Sequence, residues 1–212
     1  MPGEFEPWIK YPALTAERLS VVANLIRETR RTTVLLHDPI GGDNEWSLGC
    51  RAYARTCFAL QQATERYSWL TVLPEQESLR FTFAIGLIPV KFYHGEADGA
   101  PSHYCTITGT EMGQQQLAFQ IDGVELAGQV LRIAVVTDVS RRVSKVVLVE
   151  LDSETGAAAA TYEIPFDLKS DNVVQLQSRP VDLPRPELEP LPTAEELKVA
   201  ESELKRKKRD AN

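Results

Sequence analysis

The periodicity of apolar residues changes along this chain from a helical pattern to an alternating one. Between residues 15 and 67, apolar side chains recur at every third or fourth position, as on one face of an α-helix. From Leu79 to Phe166 they occur in short alternating runs, as in strands buried on one face. This order predicts an α+β fold in which an N-terminal helical hairpin packs on an antiparallel β-sheet built of hairpins, a meander.

Both helices carry boundary signals. Thr15 is a suitable N-cap for the first helix, which is expected to continue to about Leu36. Ser47 is predicted to cap the second, which runs to about Tyr67, after a glycine-containing loop at residues 41–44. The short loop favours an antiparallel hairpin. The charged side chains expected to lie in solvent on the first helix are Arg27, Glu28, Arg30 and Arg31.

The second helix is expected to bury aromatic and small side chains. Ala54 and Phe58 widen its apolar stripe, and Trp46 is expected to pack on the core just before the helix. Cys50 and Cys57 lie two turns apart, too far for a disulfide, and are expected to be buried small apolar residues. The stripe itself comprises Tyr53, Cys57, Leu60 and Thr64.

The second half of the chain predicts strands, one long loop and one short helix. Residues 94–110 are rich in glycine and predict a surface loop, and Glu111–Gln120 predicts a helix. Gly86 and Pro89 favour a hairpin or a bulge. The predicted strands are Leu79–Ile85, Val90–Tyr93, Leu131–Thr137, Val143–Leu151 and Thr161–Phe166.

The C-terminal part of the chain predicts a linker and an arm after a single domain at residues 1–179. Five prolines at residues 180–192 favour an extended spacer. A capping box, Thr193 to Glu196, opens an amphipathic helix over residues 193–212. Its apolar stripe, a surface for a partner, is Leu197, Ala200 and Leu204, and its basic tip is Lys205, Arg206, Lys207, Lys208 and Arg209.

Composition favours a soluble globular protein. Of the 212 residues, 43% are hydrophobic and 25% charged, and no apolar run is long enough to span a membrane. The acidic N-terminus lacks signal-peptide features, so we expect a cytoplasmic protein with no membrane contact. A net charge of −7 argues against a broad nucleic-acid-binding surface.

Acidic residues near strand ends suggest one catalytic alternative. A magnesium-dependent nuclease or phosphoryl-transfer enzyme needs converging carboxylates and a nearby lysine. The same residues are also typical of ordinary solvation at the ends of hairpins. The candidates are Asp138, Glu150, Asp152, Asp167 and Lys169.

Histidine and cysteine chemistry has weaker support. His94, His103 and Cys105 are residue types that bind zinc, but their spacing matches no zinc motif. Cys105 with His103 is a candidate nucleophile and base, although such pairs are assembled in space and not by sequence proximity. Phosphate-binding glycine loops are absent from the sequence. We therefore expect no metal and no cofactor.

Arg51 and Arg55 lie four residues apart on the second helix and share a face. With acidic residues in the preceding loop, such as Asp43, they favour structural ion pairs. As guanidinium groups they are also the candidate anchors for a ligand or partner.

Together these patterns indicate a non-enzymatic interaction or regulatory protein. We expect it to bind a protein partner, or a second copy of itself, through the α+β body and the C-terminal arm. The nuclease with strand-end carboxylates is the first alternative. Weak nucleic-acid binding through the basic tip, residues 205–209, is the second.

Overall fold

The computed structural model describes residues 5–74, 81–126 and 128–166, which form five helices and six strands. These residues all belong to one unit of the chain, Met1–Ser170. The helices are α1 (Pro7–Lys10), α2 (Ala16–Leu35), α3 (Glu45–Ala63), α4 (Ser102–Cys105) and α5 (Gly109–Asp122). The strands are β1 (Leu70–Val72), β2 (Phe83–Ile85), β3 (Ile88–His94), β4 (Gln129–Thr137), β5 (Val143–Asp152) and β6 (Ala158–Glu163).

All six strands lie in one sheet, whose spatial order follows the chain from β1 to β6. Neighbouring strands are antiparallel except β3 and β4, which run parallel with Val90 opposite Leu131. A parallel pair needs a crossover connection, which here contains α4 and α5. The predicted α+β fold with a mostly antiparallel sheet is confirmed. The parallel pair was not predicted, because a helical pattern does not show on which side the next strand joins.

The helical hairpin precedes the sheet, as predicted. Thr15 caps α2 by accepting a hydrogen bond from the backbone N–H of Arg18. The N-cap of α3 is Asn44 and not Ser47, because these two residues exchange side-chain and backbone hydrogen bonds in a capping box. Arg30 was expected in solvent but is buried, since its Nε donates to the carbonyl of Arg141 in the β4–β5 turn.

One face of the sheet packs against the helical hairpin. Side chains alternate along a strand, so Val90 and Phe92 of β3 point to the same face as Ile133 of β4. They form a continuous core with Leu19 of α2 and Leu60 of α3. This helix-on-sheet layer is what the change of periodicity predicts.

The segment between β3 and α5 covers the opposite face of the sheet. It was predicted as a long surface loop, but it contains α4, and Tyr104, Cys105 and Ile107 pack against the sheet. The buried side chains on this face include Tyr93 and Val149. The glycines of the segment suggested exposure because they break regular structure, although they do not prevent the residues between them from packing.

A buried ion cluster lies under this segment. Lys91 and Arg132 are neighbours across the parallel pair, and Glu111 of α5 accepts hydrogen bonds from both at 2.6 Å. The Nε of Arg132 donates to the carbonyl of Tyr104, and Thr108 completes a capping box with Glu111. The cluster therefore joins β3, β4 and the start of α5.

Strand boundaries differ from the predictions in detail. The predicted turn at Gly86 is confirmed as part of a tight hairpin in which Ile85 pairs with Ile88, and Gly86 has a positive φ of 62°. The final strand, β6, begins and ends earlier than predicted, and β1 was not predicted because only three residues pair. Residues 75–80 lie outside the described residues.

Candidate functional site

The side of α3 that faces away from its own core is apolar. Trp46, Cys50, Ala54 and Phe58 are spaced four residues apart, so they form one stripe roughly 18 Å long on the helix. All four are exposed, Trp46 by 77% and Phe58 by 64% of its surface. We call these four residues the outer stripe of α3.

The outer stripe corrects four expectations. Trp46 does not pack on the core, neither Ala54 nor Phe58 widens the buried stripe, and Cys50 is exposed. The buried side of α3 is centred instead on Leu48 and Leu60, together with small residues. Because apolar residues occur on more than one side of α3, the sequence does not show which side faces the core. Packing against α2 decides which side is buried.

Arg51 and Arg55 lie beside the outer stripe. Arg51 pairs with Asp43, and its guanidinium lies 3.5 Å from Nδ1 of His37. A backbone hydrogen bond from Asp38, together with Arg51, holds the pKa of Asp43 below its ordinary value. Arg55 is half-buried and forms no ion pair with a described residue. Arg51 therefore holds the loop before α3 in place, whereas the Arg55 guanidinium is available to pair with an acidic group of a ligand or partner.

The structure does not bring together the strand-end carboxylates that it describes. Asp138 and Asp152 lie at opposite ends of β5, roughly 30 Å apart for a strand of this length. Asp152 accepts backbone hydrogen bonds within its own turn. Glu150 is buried on the helix-facing side and pairs with Lys10 of α1. Asp167 and Lys169 lie outside the described residues.

The histidines and Cys105 lie in separate contacts. His94 ends β3, with its Nε2 3.3 Å from the Thr137 hydroxyl. The ring of His103 lies against Tyr104, and Cys105 packs on the sheet. Within residues 5–74, 81–126 and 128–166, no cluster of three His, Cys, Asp or Glu side chains could hold a metal ion. None of the five helices in these ranges combines the length and the hydropathy of a membrane-spanning segment.

The predicted C-terminal arm and its linker lie outside the residues that the structure describes. Leu197, Ala200 and Leu204 lie outside the described residues, and so does the basic tip at residues 205–209. The predicted linker at residues 180–192 lies outside them as well. These assignments therefore stay predictions from sequence.

No protein-family model matches this chain, and no curated protein or solved structure is significantly similar to it.

Proposed function

We propose that this chain is a non-enzymatic interaction or regulatory protein that binds a protein partner through the outer stripe of α3. Arg51 and Arg55 border this contact. The C-terminal arm, predicted from its sequence as an amphipathic helix over residues 193–212, is a second contact in the same proposal.

The observation that supports it is the presence of apolar residues on both sides of α3. An ordinary surface helix buries one apolar stripe and turns charged or polar side chains to water. Here Leu48 and Leu60 are buried inside, while Trp46 and Phe58 are exposed outside. A contiguous exposed apolar patch of this kind is typical of an interaction site.

The shape of the outer stripe favours a partner with an apolar groove. A convex helix carrying side chains four residues apart fits the helix-in-groove mode of recognition. The large side chains, Trp46 and Phe58, stand at the two ends, and the small Cys50 and Ala54 between them permit close approach. Tryptophan is enriched among the residues that dominate binding energy. Since Arg55 borders the stripe without an ion-pair partner in the described chain, we expect acidic side chains along the groove.

The direct test is affinity capture from the native cells with a matched pair of variants. Trp46→Ser with Phe58→Ser removes both large side chains of the outer stripe. Met112→Ser with Phe119→Ser removes two exposed apolar side chains of α5 as the control. We expect the first pair to lower recovery of the bound protein at least about tenfold, roughly 1.4 kcal/mol, and the control to keep it.

Equal recovery with both pairs would refute the proposed surface. Sedimentation of the purified wild-type chain tests whether the outer stripe instead binds a second copy of the chain. A dimer that the outer-stripe variant abolishes would make the occupant a second copy of this chain and would exclude a distinct partner at this face. A captured protein supports the proposal only if its contact segment, mapped by cross-linking, is an apolar groove.

A further inference from the structure

A cavity of about 420 Å³ lies between α2, α3 and the ends of β3 and β4. His94 and Val135, near the C-terminal ends of this parallel pair, line one side of it. In open α/β sheets, ligands bind beyond the carboxyl ends of parallel strands, and the cavity has this position relative to the one parallel pair here. The volume also falls within the range of small-molecule sites.

Arg30 supplies a buried positive charge to this cavity. Its side chain lines the cavity, and the residue is only 7% exposed. Its Nε donates to the carbonyl of Arg141 at 2.9 Å, while its terminal nitrogens form no hydrogen bond or ion pair with a described residue. Glu45 also lines the cavity and its charge acts on Arg30, but Glu45 is largely exposed and pairs with the Arg141 guanidinium. A buried cation without a direct counter-charge favours an anionic ligand.

The rest of the lining is mostly apolar and aromatic. The rings of Tyr53 and Phe92 are stacked at a slant, with centroids 5.1 Å apart. Burial and then the charge of Arg30 lower the pKa of His94, so its ring is neutral near pH 7 and adds no second positive charge. The remaining apolar and hydroxyl-bearing wall residues are Ile26, Ala52, Thr56, Tyr93 and Tyr104.

We propose that this cavity binds a small organic carboxylate, with the Arg30 guanidinium pairing with the carboxylate and the aromatic wall enclosing an aliphatic or aromatic body. A planar guanidinium matches a carboxylate through two parallel hydrogen bonds. A phosphate dianion fits less well, since Arg30 is the only lysine or arginine among the described residues that line the cavity. This site is separate from the outer stripe of α3 and does not depend on the proposed function.

The test is calorimetric titration of the full chain with octanoate and phenylpropanoate. Phenylpropanamide, which has the same body without the charge, is the matched control ligand. We expect at least one carboxylate to bind with a Kd below about 1 mM and at least about tenfold more tightly than the amide. No binding in this range by either carboxylate, or equal binding of the amide, would overturn the proposal.

Two variants address Arg30 and the cavity separately. Arg30→Gln is expected to weaken carboxylate binding at least about tenfold, whereas Arg31→Gln, on the surface of the same helix and paired with Glu28, is expected to leave it unchanged. Gly49 lies at the solvent side of the cavity, and a Cβ at this position would meet no atom within 4 Å. Gly49→Leu should therefore fold and obstruct the cavity.

Gly113→Leu in α5 is the control for Gly49→Leu, because a Cβ at Gly113 also meets open space. We expect Gly113→Leu to bind the carboxylate as the wild type does and Gly49→Leu to lose at least about tenfold in affinity. Unchanged carboxylate affinity in Gly49→Leu would show that the ligand does not bind in this cavity. If Arg30→Gln does not fold, the Gly49→Leu result decides alone.

Discussion

Arg132 and Glu111 are joined inside the protein by a hydrogen bond of 2.6 Å between guanidinium Nη1 and carboxylate Oε1, and neither side chain is more than 1% exposed. The second oxygen of Glu111 accepts a hydrogen bond from Lys91. One carboxylate thus pairs with two buried cations, Lys91 of β3 and Arg132 of β4, which are neighbours across the strand pair. The crossover that makes this strand pair parallel is therefore attached to the sheet by charge as well as by packing.

Replacing Glu111 should be strongly destabilising. Glu111→Gln keeps the shape but removes the carboxylate charge that faces the buried Lys91 and Arg132, so we expect a loss of about 3–5 kcal/mol in the free energy of unfolding. Urea denaturation measures it. Glu125→Gln, an exposed residue just after the same helix, should change stability by less than about 0.5 kcal/mol. A similar small effect in both variants would show that the cluster contributes little.

The same carboxylate should make stability depend on acid pH. Burial alone would raise the pKa of Glu111, but the charges of Arg132 and Lys91 outweigh it and hold the pKa below its ordinary 4.5. A lowered folded-state pKa contributes stability that is complete above 4.5 and is lost as pH falls through the folded value. We expect the unfolding free energy of the wild type to fall more steeply below 4.5 than that of Glu111→Gln. Parallel slopes would contradict this assignment.

The two sides of α3 should differ in what they contribute to stability. Trp46→Ala and Phe58→Ala remove exposed side chains, so each should change the free energy of unfolding by less than about 0.5 kcal/mol. Leu60→Ala leaves a cavity in the core and should cost about 2–5 kcal/mol. Thermal and urea denaturation give both values. A cost for Trp46→Ala as large as that for Leu60→Ala would mean that the outer stripe packs within the chain.

The cysteines of α3 should differ sharply in reactivity. Cys50 is exposed in the outer stripe, while burial raises the pKa of the Cys57 thiol to about 11. Since the thiolate is the reactive form, Cys57 should be alkylated far more slowly at mildly basic pH. Peptide mass spectrometry after timed labelling distinguishes them. Equal labelling rates would contradict the orientation of α3.

Periodicity predicted the layers of the fold, but not every contact between them. The cap at Thr15 and the turn at Gly86 follow from local chemistry, and both are confirmed. The parallel pairing of β3 with β4 depends on where the crossover returns, which no local pattern encodes. Local patterns therefore give the elements and their turns more reliably than the order in which the strands join.

The candidate sites were harder to predict for the same reason. Aromatic residues are usually buried and charged residues exposed. Trp46 and Arg30 show the reverse, because Trp46 is exposed and Arg30 is buried. Both outcomes depend on neighbours distant in sequence, such as Arg141 for Arg30. The one signal available in the sequence was that apolar residues occupy more of α3 than a single buried stripe requires.

Site-specific photo-cross-linking from within the outer stripe of α3 shows whether this surface contacts a protein partner. A photoreactive residue at Ala54 lies in the middle of the stripe, and one at Ile121 lies on the exposed side of α5 as the control. In native cells we expect a discrete cross-linked protein from position 54, absent from position 121 and lost when Trp46 and Phe58 are replaced by serine. No cross-linked product from position 54, or the same products from both positions, would contradict it.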